Sequence, residues 1–184
     1  VLRSKVAMGT GYGSQHSMDP AGIFATAPGW RIVAPSTPFD YVGLMNTALA
    51  IEDPVLVLEH VGLYQTTGEI PEDDLDYHLP VGRAKVRREG SDVTVITYLS
   101  MVGHALEAVE QTGIDAEVID LRWLLPLNEG FIVEQARTAK RILVVDEGRR
   151  SAGVGEGILT ALVEGGFGAT PVSRVVGADT YTPL

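Results

Sequence analysis

The chain alternates short runs of β-branched and leucine residues with segments in which apolar side chains recur at helical spacing, the pattern of an α/β fold. The start, Val1-Leu2-Arg3-Ser4, reads as a strand. Arg31-Ile32-Val33-Ala34-Pro35 reads as a short buried strand closed by proline. The helix predicted next has Thr37 placed to cap it, Pro38 at its first position and Asp40 in the first turn, where the helix dipole favours negative charge. Leu44, Met45, Ala48 and Ile51 then share a face. Pro54-Val55-Leu56-Val57-Leu58 is an unbroken apolar run, which suits a strand covered on both sides. Strand, helix and strand make a βαβ unit.

From Val61 to Pro80 the texture changes. Gly62, Gly68, Pro71 and Pro80 bracket the acidic residues Glu69, Glu72, Asp73, Asp74 and Asp76, and the stretch reads as a solvated interdomain linker rather than a cation site. Beyond Gly82 the alternation resumes. Strands are expected at Val93–Tyr98, Ala116–Leu121, Arg141–Asp146 and Val172–Val176, with helices at Met101–Thr112, Asn128–Ala139 and Gly155–Glu164. This pattern is expected to close its own core and fold independently. The expected division is 1–61, a linker over 62–81, and a second α/β domain over 82–184.

Composition narrows the function. A formal net charge of -10 would repel a phosphate backbone, and no basic run interrupts it, which argues against nucleic acid. No cysteine is present, so disulfides, thiolate metal sites and a cysteine nucleophile are excluded. No apolar stretch approaches the ~20 residues of a membrane-spanning helix, and no signal peptide opens the chain. We therefore expect a cytoplasmic protein, or a mitochondrial matrix protein in a eukaryote. Because Val1 rather than Met opens directly into strand-like sequence, we expect the beginning of a longer chain to be missing.

The candidate chemistry is sparse. Gly9-Thr10-Gly11-Tyr12-Gly13-Ser14 precedes Gln15-His16-Ser17, so a glycine-rich loop delivers an imidazole beside a hydroxyl. Gly153, Gly155 and Gly157 open a helix, but Ile158 stands where a dinucleotide fingerprint requires its third glycine, so close packing is the expected role. His104 and Glu107 are expected on an exposed helix face, and His60 and His78 have no ligand-like neighbours in the sequence. Phosphate-loop and serine-hydrolase motifs are absent.

The order of these pieces resembles the β subunits of thiamine-diphosphate-dependent E1 components, those of the pyruvate, branched-chain 2-oxo acid and acetoin dehydrogenases. The resemblance runs through Gln15-His16-Ser17, Ala27-Pro28-Gly29-Trp30 on to Pro35-Ser36-Thr37-Pro38, and Asp53-Pro54-Val55 up to Glu59-His60. It continues through Glu117-Val118-Ile119-Asp120-Leu121-Arg122, Leu125-Pro126-Leu127 and Arg141 to Glu147. It implies half of a pyrimidine-binding α/β domain followed by a three-layer α/β domain like the transketolase C-terminal domain. It implies oxidative decarboxylation of a 2-oxo acid, or acetoin cleavage, with acyl transfer to a lipoyl-bearing E2. The partners implied are an E1 α subunit that binds the diphosphate and Mg²⁺, the E2, and a second β subunit. The chain has no Gly-Asp-Gly motif, in keeping with that division of labour.

His16 matches the family histidine that faces the thiazolium and manages protons, and Ser17 beside it is the second catalytic candidate, its hydroxyl expected to orient the imidazole or the substrate or else to cap the loop. The Glu that activates the aminopyrimidine lies upstream of the segment present here. Ala48 and Asp53 match the loop that holds a potassium ion in several members, although Ala50 and Ile51 replace polar residues there. The alternative is a non-catalytic α/β binding or regulatory module that kept this fold.

Overall fold

The computed structural model describes residues 1–182. Its first sheet is built from β1 (Leu2–Val6), β2 (Arg31–Val33), β3 (Val55–His60) and a later strand, β7 (Trp123–Leu125). The second contains β4 (Lys85–Arg88), β5 (Val93–Thr97), β6 (Ala116–Asp120), β8 (Ile142–Arg149) and β9 (Val172–Gly177). Strand orders are β1-β3-β2-β7 and β4-β6-β5-β8-β9, parallel except at β7 and β4, which run antiparallel to their neighbours. Crossover helices between parallel strands are the reason the loops that follow the strands gather on one side.

Helix α3 (Pro38–Ala50) forms as its sequence predicts. Thr37 accepts a hydrogen bond from the Asp40 amide at 3.2 Å, and Leu44 and Ala48 bury their faces against Val33, Val55 and Val57. All six residues of β3 are buried, as expected for a strand covered on both faces. Helix α4 (Ser100–Thr112) stops at Gly113, whose φ of 68° is the left-handed cap conformation. Helix α5 (Glu129–Ala136) ends short of the expected Ala139. Strand β8 runs on to Arg149, past the expected Asp146, because β9 continues to pair with it through an irregularity. Helix α6 (Val154–Glu164) follows. His104 and Glu107 lie exposed on α4, as do the five acidic residues of the Val61–Pro80 stretch.

Two features depart from the expected layout. First, the segment from Val61 to Pro80 is fastened to α3 rather than free. Asn46 Nδ2 donates to the carbonyls of Leu75 and Tyr77 at 2.7 and 2.9 Å, Thr47 Oγ1 donates to Leu79 O, and the Tyr77 ring stacks on Phe39. Gly43 permits this approach, since a Cβ there would lie 2.6 Å from the Tyr77 ring.

Second, β7 leaves the downstream half to pair with β2, and Trp123 is fully buried among Val33, Leu44 and Val57. A further core cluster joins Val6, Ile32, Leu56 and Leu58 to Ile96, Leu121 and Ile132. One hydrophobic cluster is therefore continuous across the linker, while residues from Gly82 onward also hold a cluster of their own around Val95, Ala105, Val109, Ala116 and Val118.

Candidate functional site

The loop after β1 carries the predicted histidine. Gly9, Gly11 and Gly13 all have positive φ (75°, 79° and 72°), the conformations that made the glycine run informative. A single helical turn, α1 (Gly13–Ser17), then presents His16 to solvent in its last turn. Ser17 points the other way: it is fully buried, and its Oγ has no hydrogen-bond partner. The hydroxyl therefore makes no bond that orients the imidazole. The main chain supports the turn instead, with the Ala7 amide donating to Ser17 O at 3.2 Å. A second short turn, α2 (Ala21–Ala25), follows.

The nominated potassium residues lie apart from this loop. Ala48 is 1% exposed with its methyl in the core, and Asp53 is engaged by Arg31 Nε at 2.8 Å. The Thr47 carbonyl accepts from the Ile51 amide. Glu52 beside Asp53 is exposed, and among the described residues no set of carboxylates converges on one point here, so these side chains do not fit a potassium ion. Among the described residues no group of three or more His, Cys, Asp or Glu is placed to hold a metal. Of the glycines opening α6, Gly153 and Gly155 serve packing, a Cβ on them lying 2.6 Å from Arg149 O and 3.3 Å from Asp146 Oδ2, whereas a Cβ on Gly157 would meet nothing within 4 Å.

A polar seam missing from the sequence reading lies behind the His16 loop, where the ends of β3, β5 and β8 meet. Tyr98 Oη lies 2.8 Å from Asp19 Oδ2 and 2.6 Å from Asp146 Oδ1. His60 Nε2 is 3.2 Å from Glu147 Oε2, close enough for an ion pair although the line is poor for a hydrogen bond. Ser100 Oγ reaches the other Glu147 oxygen at 3.4 Å. Burial lowers the tendency of His60 to protonate, but Glu147 outweighs this and the net direction is upward. Residues such as Asp19 and Tyr98 are far apart in sequence, so no local pattern announces the seam. It lines a cavity of about 400 Å³ whose walls include Met8, Met18, Ile23, Glu147 and Arg149.

A second cluster surrounds Glu59, near the C-terminal end of β3 on the face it shares with Val55 and Val57. Its carboxylate accepts from Arg3 Nε at 2.5 Å, Tyr41 Oη at 2.7 Å and Tyr64 Oη at 3.2 Å. Burial pushes the Glu59 carboxyl up, yet these donors hold it below the ordinary glutamate value.

Comparison with known proteins agrees with this architecture. Residues 1–67 match the family described as the transketolase pyrimidine binding domain, and residues 82–184 the transketolase C-terminal domain. The chain is 40% identical, over its whole length, to the mitochondrial pyruvate dehydrogenase E1 component subunit beta-1 of Arabidopsis thaliana, of which it covers 52%. It is 36% identical to the beta subunit of the acetoin:2,6-dichlorophenolindophenol oxidoreductase of Cupriavidus necator, covering 55% of it. Among solved structures, one described as a split gene transketolase, inactive beta4 tetramer, aligns with a TM-score of 0.78 at 25% identity, over 97% of this chain and 57% of that one. The chain thus spans about half the length of the curated relatives it matches. With both domain matches in sequence order and a relative at 40% identity along the whole chain, the protein belongs to the transketolase-like family that includes the E1 β subunits.

Proposed function

We propose that this chain is the later part of the β subunit of a thiamine-diphosphate-dependent E1 component, acting in oxidative decarboxylation of a 2-oxo acid or in acetoin cleavage. The observation that carries the reading is the unbroken similarity to pyruvate and acetoin enzyme β subunits over the full chain. Its units are residues 1–61, the second half of a pyrimidine-binding domain, a linker over 62–81, and the C-terminal domain over 82–184.

Thiamine diphosphate, when bound in the assembled enzyme, supplies the carbon nucleophile, and its diphosphate and Mg²⁺ fall to an α subunit. This chain's contribution is the exposed imidazole of His16, which can take up or release a proton beside the reacting substrate and during acyl transfer to a lipoyl-bearing E2. Ser17 sits beneath it as part of the loop's support.

Assembly with an α subunit and a complete β first domain, followed by a panel of 2-oxo acids and acetoin, tests the proposal. Cofactor-dependent turnover of one panel member is expected. A correctly assembled complex that turns over none of them would overturn it. That result would favour a second reading, a non-catalytic α/β module, to which the structural neighbour described as an inactive tetramer lends support.

A further inference from the structure

One phenol stands between two carboxyl groups behind the His16 loop. Tyr98 Oη lies within hydrogen-bond distance of both Asp19 Oδ2 and Asp146 Oδ1. A phenol has a single hydrogen and can donate only one of these bonds. The second contact therefore needs a proton from a carboxyl group, because two ionised carboxylates would leave one oxygen facing the phenol's lone pairs in a buried setting.

The surroundings decide which acid carries it. Asp146, 2% exposed, accepts from the Gly148 amide at 2.6 Å on Oδ1 and from the Gly155 amide at 2.9 Å on Oδ2. Gly155 lies in the first turn of α6, so the helix dipole also favours a charge on Asp146. Asp19 has one backbone donor, the Ala21 amide at 2.8 Å on Oδ1, and Oδ2 has only Tyr98. The charged and titratable groups packed around it are Asp146 and Glu147 on β8, Tyr98 beyond β5, and His60 on β3, whose charge is engaged by Glu147, with the exposed Arg149 on β8 lining the same cavity.

We infer that Asp19 is held as a neutral carboxylic acid that donates to Tyr98 Oη, while Tyr98 donates to Asp146. This relay is a clip that positions the segment carrying His16 against the second sheet. Desolvation pushes the Asp19 carboxyl up to about 7, with Asp146 and Glu147 adding to it against the opposing pull of the Ala21 amide. Burial among the same acids keeps Tyr98 protonated. Asp19 follows His16 by three residues, so the clip fixes the end of that turn. The positioning role toward substrate rests on the function proposed above; the protonation state does not.

The sign of the pH effect follows from linkage. With a folded value near 7 and an unfolded value of 3.8, the clip is strongest at acid pH and weakens as pH rises towards 7, after which it levels off.

The test is a carbon-13 NMR titration of side-chain carboxyls in the full chain, with Asp19→Asn identifying the resonance, or backbone correlation in the wild type if that variant does not fold. A midpoint near 7 is expected; one below about 5, close to the ordinary aspartate value, overturns the inference. Hydrogen exchange of residues 9–18 then reads the clip itself. The opening equilibrium, corrected for intrinsic exchange, is expected to rise roughly tenfold per pH unit between about pH 5 and 7, and Asp19→Asn to remove that slope. A flat wild-type profile, or the same slope in the variant, overturns the positioning role. Neither readout uses substrate, so loss of the catalytic reading of His16 would leave both standing.

Discussion

His16 and His60 show how differently two histidines of one chain are used. His16 is exposed at the end of a helical turn held by glycine conformations and by the main chain, with nothing in the described residues competing for its imidazole. In the assembled enzyme His16→Ala should lower turnover by about 10²-fold while cofactor affinity changes little, the scale for losing a positioned acid or base. Steady-state kinetics alongside a melting curve on the same preparation check this, because a structural role would move the melt instead. His60 is 7% exposed and bound to Glu147. Its raised folded value means that the pair's contribution is fully present below the ordinary histidine value of 6.5 and is lost as pH rises through the folded value. Urea unfolding from mildly acidic to alkaline pH should show that loss, and His60→Leu should cost about 3–5 kcal/mol at neutral pH by leaving Glu147 buried without its partner. His16 was readable because its glycines and neighbours are contiguous. His60 was not, since its meaning lies in Glu147, brought to it only by the packing of β3 against β8.

At the scale of elements, the sequence announced those with strong local signals and missed those defined by partners. Helix α3 carries its own cap, proline and apolar stripe, and α4 its glycine stop. Strands β4 and β7 are short antiparallel additions, one reading Lys85-Val86-Arg87-Arg88 with no period-two apolar face. Strand β7 matters most, because it carries Trp123 out of the downstream half into the first sheet. We expect Trp123→Ala to cost about 3–5 kcal/mol, the range for truncating a buried aromatic, measured by denaturant unfolding. A piece beginning at Gly82 should accordingly melt without a sharp transition and bind a hydrophobic dye. A cooperative melt equal to that of the full chain would show that the shared core contributes little.

Across the whole molecule the two halves are also held by charge. Asp40 on α3 and Asp120 on β6 are fully buried, and Arg87 and Arg122 reach Asp40 from the other half, Arg122 Nη2 at 2.5 Å. Arg87 also bonds Asp120 at 2.7 Å and Ser36 at 3.1 Å. Two carboxylates balance two guanidinium groups. Burial, with Arg87 nearby, pulls Arg122 down to about 10, so its charge is held at a cost. The first-turn Asp40 that the sequence marked as a helix-dipole residue is thus also a joint between the halves. Asp40→Ala leaves Arg122 without its carboxylate and sets two guanidinium groups against the single remaining Asp120, and should cost about 3–5 kcal/mol in urea unfolding.

The outer side of the first sheet poses a different question, because β1 pairs with β3 on one side only among the described residues, and Val1 and Leu2 are 56% and 42% exposed. An open strand edge with apolar residues invites pairing, and one such edge on identical chains favours closed dimers. For the 184-residue segment by itself we therefore expect sedimentation as a dimer or larger species, and Leu2→Lys, which puts a charge on that strand, to shift it toward monomer without lowering the melting temperature. The net charge of -10 opposes nonspecific clumping, so association that persists at low salt would point to a defined surface. A chain that stays monomeric at high concentration, with an α subunit present, would show that this edge is covered in some other way.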